Sequence, residues 1–223
     1  MRRQLAPALR MLLALTLVCG IIYPLAVTGL VQLGFRDQAE GSLVRRGDEL
    51  VGSRLMGQAF TAPEWFHPRP SSAGAGASGS LVAETDADGN EVTGADGQPV
   101  LAPADVSDVA NNASGSSTQG PTHPGQPAAV AERAAACRTP HGLPADAAPP
   151  LDAVTGSGSG VDPHISVANA RLQAPRVARE RNLAVEAVLE LVDRHTEGRS
   201  LGFLGEPGVN VLELNLAVDA ASR

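Results

Sequence analysis

The chain contains no lysine: all seventeen of its Lys/Arg positions are arginine. That absence excludes whole chemistries. A Walker A loop needs its lysine on the β/γ-phosphates of a nucleotide, and a Schiff-base enzyme needs a lysine amine. Aromatic residues are also scarce, at 3% of the chain. There are only two cysteines, Cys19 and Cys137. Cys19 lies in an apolar run and Cys137 far outside it, so the two cannot meet in the short geometry of an intrachain disulfide. No basic stripe is present, which argues against nucleic acid as a partner. The net charge is −7. Seven acidic residues and no arginine fall within 81–109, and the other seventeen acidic residues match the seventeen arginines. The acidity therefore belongs to one segment.

What the chain does have is a long uncharged run between Arg10 and Arg36. As a helix with a rise of ~1.5 Å per residue, this run spans about 37 Å, enough for a hydrocarbon core of about 30 Å. The run is too long for the apolar part of a secretory signal, and Ala26-Val27-Thr28 is a poor cleavage site. Residues 11–35 are thus expected to be an uncleaved transmembrane helix. Arg2, Arg3 and Arg10 precede the run, and positive-inside counting then puts residues 1–10 in the cytoplasm and 36–223 outside it. Pro24 is expected to kink the helix. Gly20, Gly29, Thr16 and Thr28 suit packing against other membrane helices.

After the run, residues 36–58 read as a membrane-proximal helix leading to a short strand at Ser53–Gln58. Pro63, Pro68 and Pro70 forbid regular helix and impose an extended path. Residues 71–80 are a Gly/Ala/Ser linker. Within 81–109, Ala87-Asp-Gly-Asn-Glu-Val92 recurs as Ala95-Asp-Gly-Gln-Pro-Val100, a pair of hairpin-turn signals. A short helix is expected near Ala128–Ala136 and a short strand at Leu151–Val154. Ser166 is placed as the N-cap of a helix that Pro175 ends or restarts. Val185, Val188, Leu189 and Val192 follow helical spacing, with Asn182 as cap. In Val209–Ala220, Leu212, Leu214, Leu216 and Val218 alternate as in a strand, while Asn210 and Glu213 form a capping pair, which tips the reading to helix. The expected fold is α+β: one N-terminal transmembrane helix, then a single mixed α+β soluble domain over 36–223, with a flexible acidic insertion at about 72–110.

Several motif matches fail on context. Gly198-Arg-Ser200-Leu-Gly202 has the letters of a nucleophile elbow but follows a helix, with no histidine after His195. Gly74-Ala-Gly76-Ala-Ser-Gly79 matches a dinucleotide fingerprint inside low-complexity sequence. Asp86-Ala-Asp88-Gly89-Asn90 lacks the glycine and glutamate spacing of an EF-hand loop. The five histidines have no metal-ligand spacing. His164 beside Asp162 reads as a capping arrangement. The segment Gly156-Ser-Gly-Ser-Gly160 before the Ser166 helix start has two readings. It presents N–H groups to an anion, or it is a close backbone crossing with Gly158 supplying a positive φ.

These last residues also carry a family resemblance. Val154-Thr-Gly-Ser-Gly-Ser-Gly-Val-Asp-Pro-His-Ile-Ser166 resembles a signature of the C subunits of Kdp-type potassium-transporting ATPases. So do Gln173-Ala-Pro-Arg-Val-Ala-Arg-Glu-Arg181, Gly202-Phe-Leu-Gly-Glu-Pro207, Val209–Leu216, Gly57-Gln-Ala-Phe60 and Phe66-His-Pro-Arg-Pro-Ser71. The likeness runs end to end except near 80–110. It departs locally at Ser116, Thr118, Gln119, His123 and Gly208. It implies a non-catalytic accessory subunit of an ATP-driven potassium uptake complex. The implied partners are a channel-like potassium-binding subunit and a P-type ATP-hydrolysing subunit in the membrane. The family's usual description is a catalytic chaperone that raises the ATP affinity of the P-type subunit. On that description Ser157, Ser159 and Gln173 are the residues for nucleotide contact, with ATP as ligand and no tightly bound cofactor or metal. An extracytoplasmic domain would instead sit over the channel mouth, away from ATP. The alternative is a membrane-anchored extracytoplasmic binding module with an acidic, calcium-tolerant loop.

Overall fold

In the computed structural model the described residues are 2–71, 73, 81–83, 101–103, 114–117, 119–123 and 125–223. The chain forms two compact units, Met1–Ser53 and Arg54–Arg223.

The first unit opens with a helix. It comprises α1 (Arg2–Leu17), a π turn at Val18–Ile22, and α2 (Tyr23–Gly34). Gln4–Gly34 is long and apolar enough to cross a membrane, and none of its tested window is buried by the chain itself. The π turn explains how Pro24 is accommodated. Proline has no N–H and its ring clashes with the carbonyl four residues back. Here Tyr23 N–H reaches back to the Val18 carbonyl, the wider spacing by which a helix absorbs such an insertion.

The expected strand at 53–58 is displaced. A single turn, α3 (Arg36–Ala39), leads into a hairpin of β1 (Leu43–Arg46) and β2 (Glu49–Ser53). The two-residue connection is Gly47-Asp48, with Gly47 at φ +60°, a hairpin signal that the sequence does carry. Residues 54–58 are a turn and irregular chain.

The second unit is mixed α+β. Strands β3 (Leu81–Ala83) and β4 (Leu101–Pro103) pair antiparallel within the acidic insertion. The duplicated turn at 87–100 and the Asp86 segment lie outside the described residues. Helix α4 covers Gly125–His141, longer than expected. Leu151–Val154, expected as strand, is one helical turn, α5. It follows Pro149-Pro150, and Pro150 supplies an extended entry at ψ 142°.

Strands β5 (His164–Ser166), β6 (Thr196–Glu197) and β7 (Gly208–Asn210) form an antiparallel sheet in the order β5-β7-β6. Helices α6 (Val167–Arg181), α7 (Val185–Arg194) and α8 (Val211–Ala221) pack with it. Ser166 caps α6 by accepting the Asn169 N–H, and Asn210 caps α8 by accepting the Glu213 N–H. Both caps agree with the sequence pattern.

Pro175 neither ends nor starts a helix: it sits inside α6. It is exposed, while Gln173, Ala174, Arg176, Val177 and Ala178 around it are buried. The carbonyl that Pro175 frees belongs to Arg171, itself an exposed residue, and packing on both sides holds the helix through it. Asn182 also has a different role. With φ +54° it closes α6 in the left-handed conformation, and the N-cap of α7 is Ala184. Asparagine tolerates that conformation through local hydrogen bonding.

The core is built from small and branched aliphatics around one aromatic ring. Ala170, Ala174, Val177 and Ala178 of α6 meet Val188 and Val192 of α7, Leu214 and Val218 of α8, and Phe66. Alanine spacing along α6 lets neighbouring elements approach closely. Phe66 is fully buried, worth roughly 1.5–3 kcal/mol in removed apolar surface.

Candidate functional site

The segment Ala62–His67 has no sheet partner, yet it lies against the core. Apart from the Trp65 N–H, which donates to the Ala62 carbonyl, its backbone groups must find hydrogen bonds elsewhere, and side chains of α6 and α8 supply them. Asn215 Oδ1 accepts the Phe66 N–H at 2.8 Å and its Nδ2 donates to the Phe66 carbonyl at 3.0 Å. Gln173 does the same for the next residue. Its Oε1 accepts the His67 N–H at 2.7 Å, and its Nε2 donates to the His67 carbonyl at 3.0 Å. Each amide imitates one rung of a β-ladder.

Two arginines complete the clamp. Arg176, nearly fully buried, donates to the carbonyls of Pro63 and Trp65 and to Gln173 Oε1. Arg181 donates to the Glu64 carbonyl at 3.2 Å and stacks 3.9 Å over the Trp65 ring. Burial lowers the Arg176 pKa from its ordinary value.

The Gly/Ser turn is likewise tied into the fold. Ser157 is buried, and its N–H donates to the Pro70 carbonyl. Its Oγ accepts the Gly160 N–H at 2.7 Å. Ser159 Oγ accepts the Val161 N–H at 3.2 Å, and its carbonyl accepts from Gly115 N–H and Ser114 Oγ. The demanding glycine is Gly160, not Gly158. Gly160 has φ +72°, and a Cβ there would stand 2.5 Å from both Ala73 Cβ and the Gly115 carbonyl oxygen. Gly158 has neither a positive φ nor a neighbour within 4 Å of such a Cβ. The close crossing is real, two residues later than the sequence reading placed it.

Asp162 holds the next bend. It pairs with Arg69 at 2.8 Å and accepts the His164 N–H at 3.0 Å. Gly57 passes so near that a Cβ on it would lie 2.6 Å from the Asp162 carbonyl oxygen. Asp152 receives Ser166 N–H, Ser166 Oγ and Asn169 Nδ2, which locks the start of α6.

Two cavities flank these elements. One, of about 200 Å³, is lined by Gly156, Ser157, Gly158, Ser116, Gln126 and Arg133 among others. The other, of about 220 Å³, includes His67, Arg133, Cys137, His141, Asn169 and Gln173 in its lining. Ser157 thus faces the first and Gln173 the second, and Ser159 lines neither. Neither of these two cavities is lined by all three residues that the resemblance marks for nucleotide.

His67, in the second cavity, donates its Nε2–H to the Ala62 carbonyl at 3.1 Å. Burial first, and then the Arg176 guanidinium, push its pKa down to about 4. Burial also lowers His141, and it raises the Cys137 thiol. Cys137 is therefore held as a thiol. His67 makes stability pH-dependent in a definite direction. The unfolded chain takes up the proton near pH 6.5 and the folded chain only near 4, so stability is lost as pH falls between those values. The loss should reach about 2 kcal/mol by pH 5. Denaturant unfolding at pH 7 and pH 5 should show it, and His67→Asn should flatten the slope. An unchanged slope in that variant would assign the pH dependence to other groups.

Sequence reasoning did not find the clamp formed by Gln173, Arg176 and Asn215. A signal existed: a proline-rich segment beside buried aromatics has carbonyls that no ladder can satisfy. Which side chains answer them depends on folding, because the clamped pairs are separated by more than a hundred residues.

The geometry defines a chain with one membrane-length helix followed by a small α+β unit. Among the described residues no group of three His, Cys, Asp or Glu side chains could hold a metal ion. Residues 5–220 match the family model described as K+-transporting ATPase, c chain. A relative from Mycobacterium tuberculosis (strain ATCC 25618 / H37Rv), the potassium-transporting ATPase KdpC subunit, is 51% identical over 98% of this chain and 99% of its own. The namesake subunit of Rhodospirillum rubrum is 46% identical over 98% and 96%. That of Methylococcus capsulatus is 46% identical over 96% of each. The chain belongs to the KdpC family, and as such it is a subunit of a potassium-transporting ATPase complex.

Proposed function

We propose that this chain is a non-catalytic subunit that holds the potassium uptake complex together from the extracytoplasmic side, anchored by Gln4–Gly34. Its partners on this reading are the channel-like potassium-binding subunit and the P-type ATP-hydrolysing subunit. The observation that carries it is the use the fold makes of its own polar groups. Ser157, Ser159 and Gln173 each spend hydrogen bonds on the chain's own backbone. A residue already committed in this way is poorly placed to trade those bonds for a nucleotide. The three basic residues before the apolar run support the orientation.

The competing reading is nucleotide contact, with the chain raising the ATP affinity of the P-type subunit. What favours it is the first cavity, where Arg133 and the Gly156–Gly158 backbone line a polar space. The two readings separate on topology and on assembly. A reporter active only outside the cytoplasm, fused after Arg223, should be active. Co-expressing the two large subunits without this chain should cause them to separate on detergent extraction. A cytoplasmic C-terminus would return the nucleotide reading, and a stable, fully active pair lacking this chain would overturn the assembly role.

A further inference from the structure

The membrane-length helix interrupts its own hydrogen-bond ladder at the π turn Val18–Ile22. The Cys19 carbonyl is the group left over. In α geometry it would receive the Tyr23 N–H, but that group donates to the Val18 carbonyl. In π geometry it would receive the N–H of residue 24, and that residue is Pro24, which has none. Any residue but proline at this position would supply the missing donor. The backbone acceptor at Cys19 is therefore unspent within its own helix.

Depth makes such an acceptor costly. Cys19 lies about 12 Å along the helix from Met11 and about 24 Å from Phe35, at a rise of ~1.5 Å per residue. It thus stands well inside a hydrocarbon core of about 30 Å. Water is excluded at that level, lipid tails have no N–H or O–H to offer, and an unpaired backbone group there is unfavourable. The helix does not cover the place itself. Cys19 is exposed, and none of the tested window of the span is buried. A Cβ built on the neighbouring Gly20 would meet only Thr16 Cγ2, at 3.9 Å. An outside side chain can therefore come close to the backbone here. Single π turns inside α-helices gather at functional positions.

The occupant follows from the chemistry of the acceptor. It must donate a hydrogen bond, and inside the core the neutral donors are Ser, Thr, Asn and Gln side chains on other membrane helices. A complex that moves potassium across a membrane has such helices in its other subunits. We infer that the Cys19 carbonyl accepts a hydrogen bond from a Ser, Thr, Asn or Gln side chain on a membrane helix of another subunit, seated at the π turn beside Gly20. This rests on the family of the chain and on its span, and not on the assembly reading above.

The test uses full-length chains in the co-expressed complex. Pro24→Ala restores the N–H, so the helix can satisfy Cys19 by itself, and the variant span is the better helix former. Wild-type and Pro24→Ala chains carrying different tags are made to compete for the other subunits. Wild type should be recovered in the complex in excess by about threefold or more, as expected for one hydrogen bond between membrane helices. A photo-crosslinking residue in place of Cys19 keeps the backbone carbonyl and should label another subunit. In a Cys137→Ser chain, carbonyl-13C cysteine marks Cys19 alone. Its infrared carbonyl band should move to lower frequency when the labelled chain joins the other subunits, and Pro24→Ala should abolish that movement. A mere change of helix shape would not move the band. Equal recovery of the two competitors, or a band that is the same alone and in the complex, would overturn the inference. Labelling of lipid only, or of a second copy of this chain only, would overturn it too. If omitting the whole chain separates the large subunits while Pro24→Ala competes equally, the membrane contact fails and the assembly reading stands.

Discussion

Gly160→Val should destabilise the soluble unit by about 3–5 kcal/mol, while Gly158→Val, two residues away in the same turn, should change stability by no more than about 0.5 kcal/mol. The first substitution fails twice over. The backbone at Gly160 holds φ +72°, which costs a side-chain-bearing residue roughly 1–2 kcal/mol. The new Cβ would also meet Ala73 Cβ and the Gly115 carbonyl oxygen at 2.5 Å, and Ser71 Oγ at 2.9 Å. Two of those three are backbone or a stub methyl, which cannot swing aside as a flexible side chain would. Gly158 has open space around it. Unfolding midpoints of the detergent-solubilised chain should fall by roughly 10 °C for Gly160→Val, at about 2–4 °C per kcal/mol for a chain of this size. Equal midpoints for the two variants would mean that the crossing of residues 71–73, 115 and 160 is not a structural constraint.

Gln173→Ala is expected to cost about 3 kcal/mol of folding stability before it has any effect on nucleotide. The amide makes four hydrogen bonds: with His67 N–H, His67 carbonyl, Asn169 Oδ1 and an Arg176 N–H. Truncation would orphan buried groups, at roughly 1–3 kcal/mol for each that water cannot reach. It would also loosen Arg176, whose other bonds hold Pro63 and Trp65. Gln173→Glu keeps the acceptor for His67 and Arg176 but loses the donor, so an intermediate loss is expected. The decisive comparison sets unfolding of the chain beside half-saturation by ATP of the purified complex. A large stability loss with unchanged half-saturation in the surviving complex fits the clamp. Full stability with a raised ATP requirement would show that Gln173 serves the nucleotide instead.

Ser157, Ser159 and Gln173 are marked for nucleotide by the family resemblance, and a hydroxyl or an amide is a residue type able to meet a phosphate. The same types also meet a chain's own backbone. Spacing along the sequence does not tell the two uses apart, because the partners of Gln173 and Asn215 lie 106 and 149 residues away. Local signals fared better. Ser166 and Asn210 cap helices as their neighbours demand, because a cap needs only the next three residues. Asn182 misled for a related reason: the same side chain suits the end of one helix as well as the start of the next.

The apolar run, the α+β character, the Ser166 cap and the helical face of Val185, Val188, Leu189 and Val192 were settled by the sequence alone. Each rests on periodicity, length or chemistry within a few residues. The structure decided for helix where Val209–Ala220 also alternates as a strand would. Tertiary packing decided the rest. It carried α6 through Pro175, because buried neighbours on both sides outweigh one lost hydrogen bond. It moved the constrained glycine from 158 to 160, because only there do Ala73 and Gly115 arrive. It assigned Gln173, Arg176 and Asn215 to a turn and irregular segment at 62–67 whose backbone had no strand to pair with.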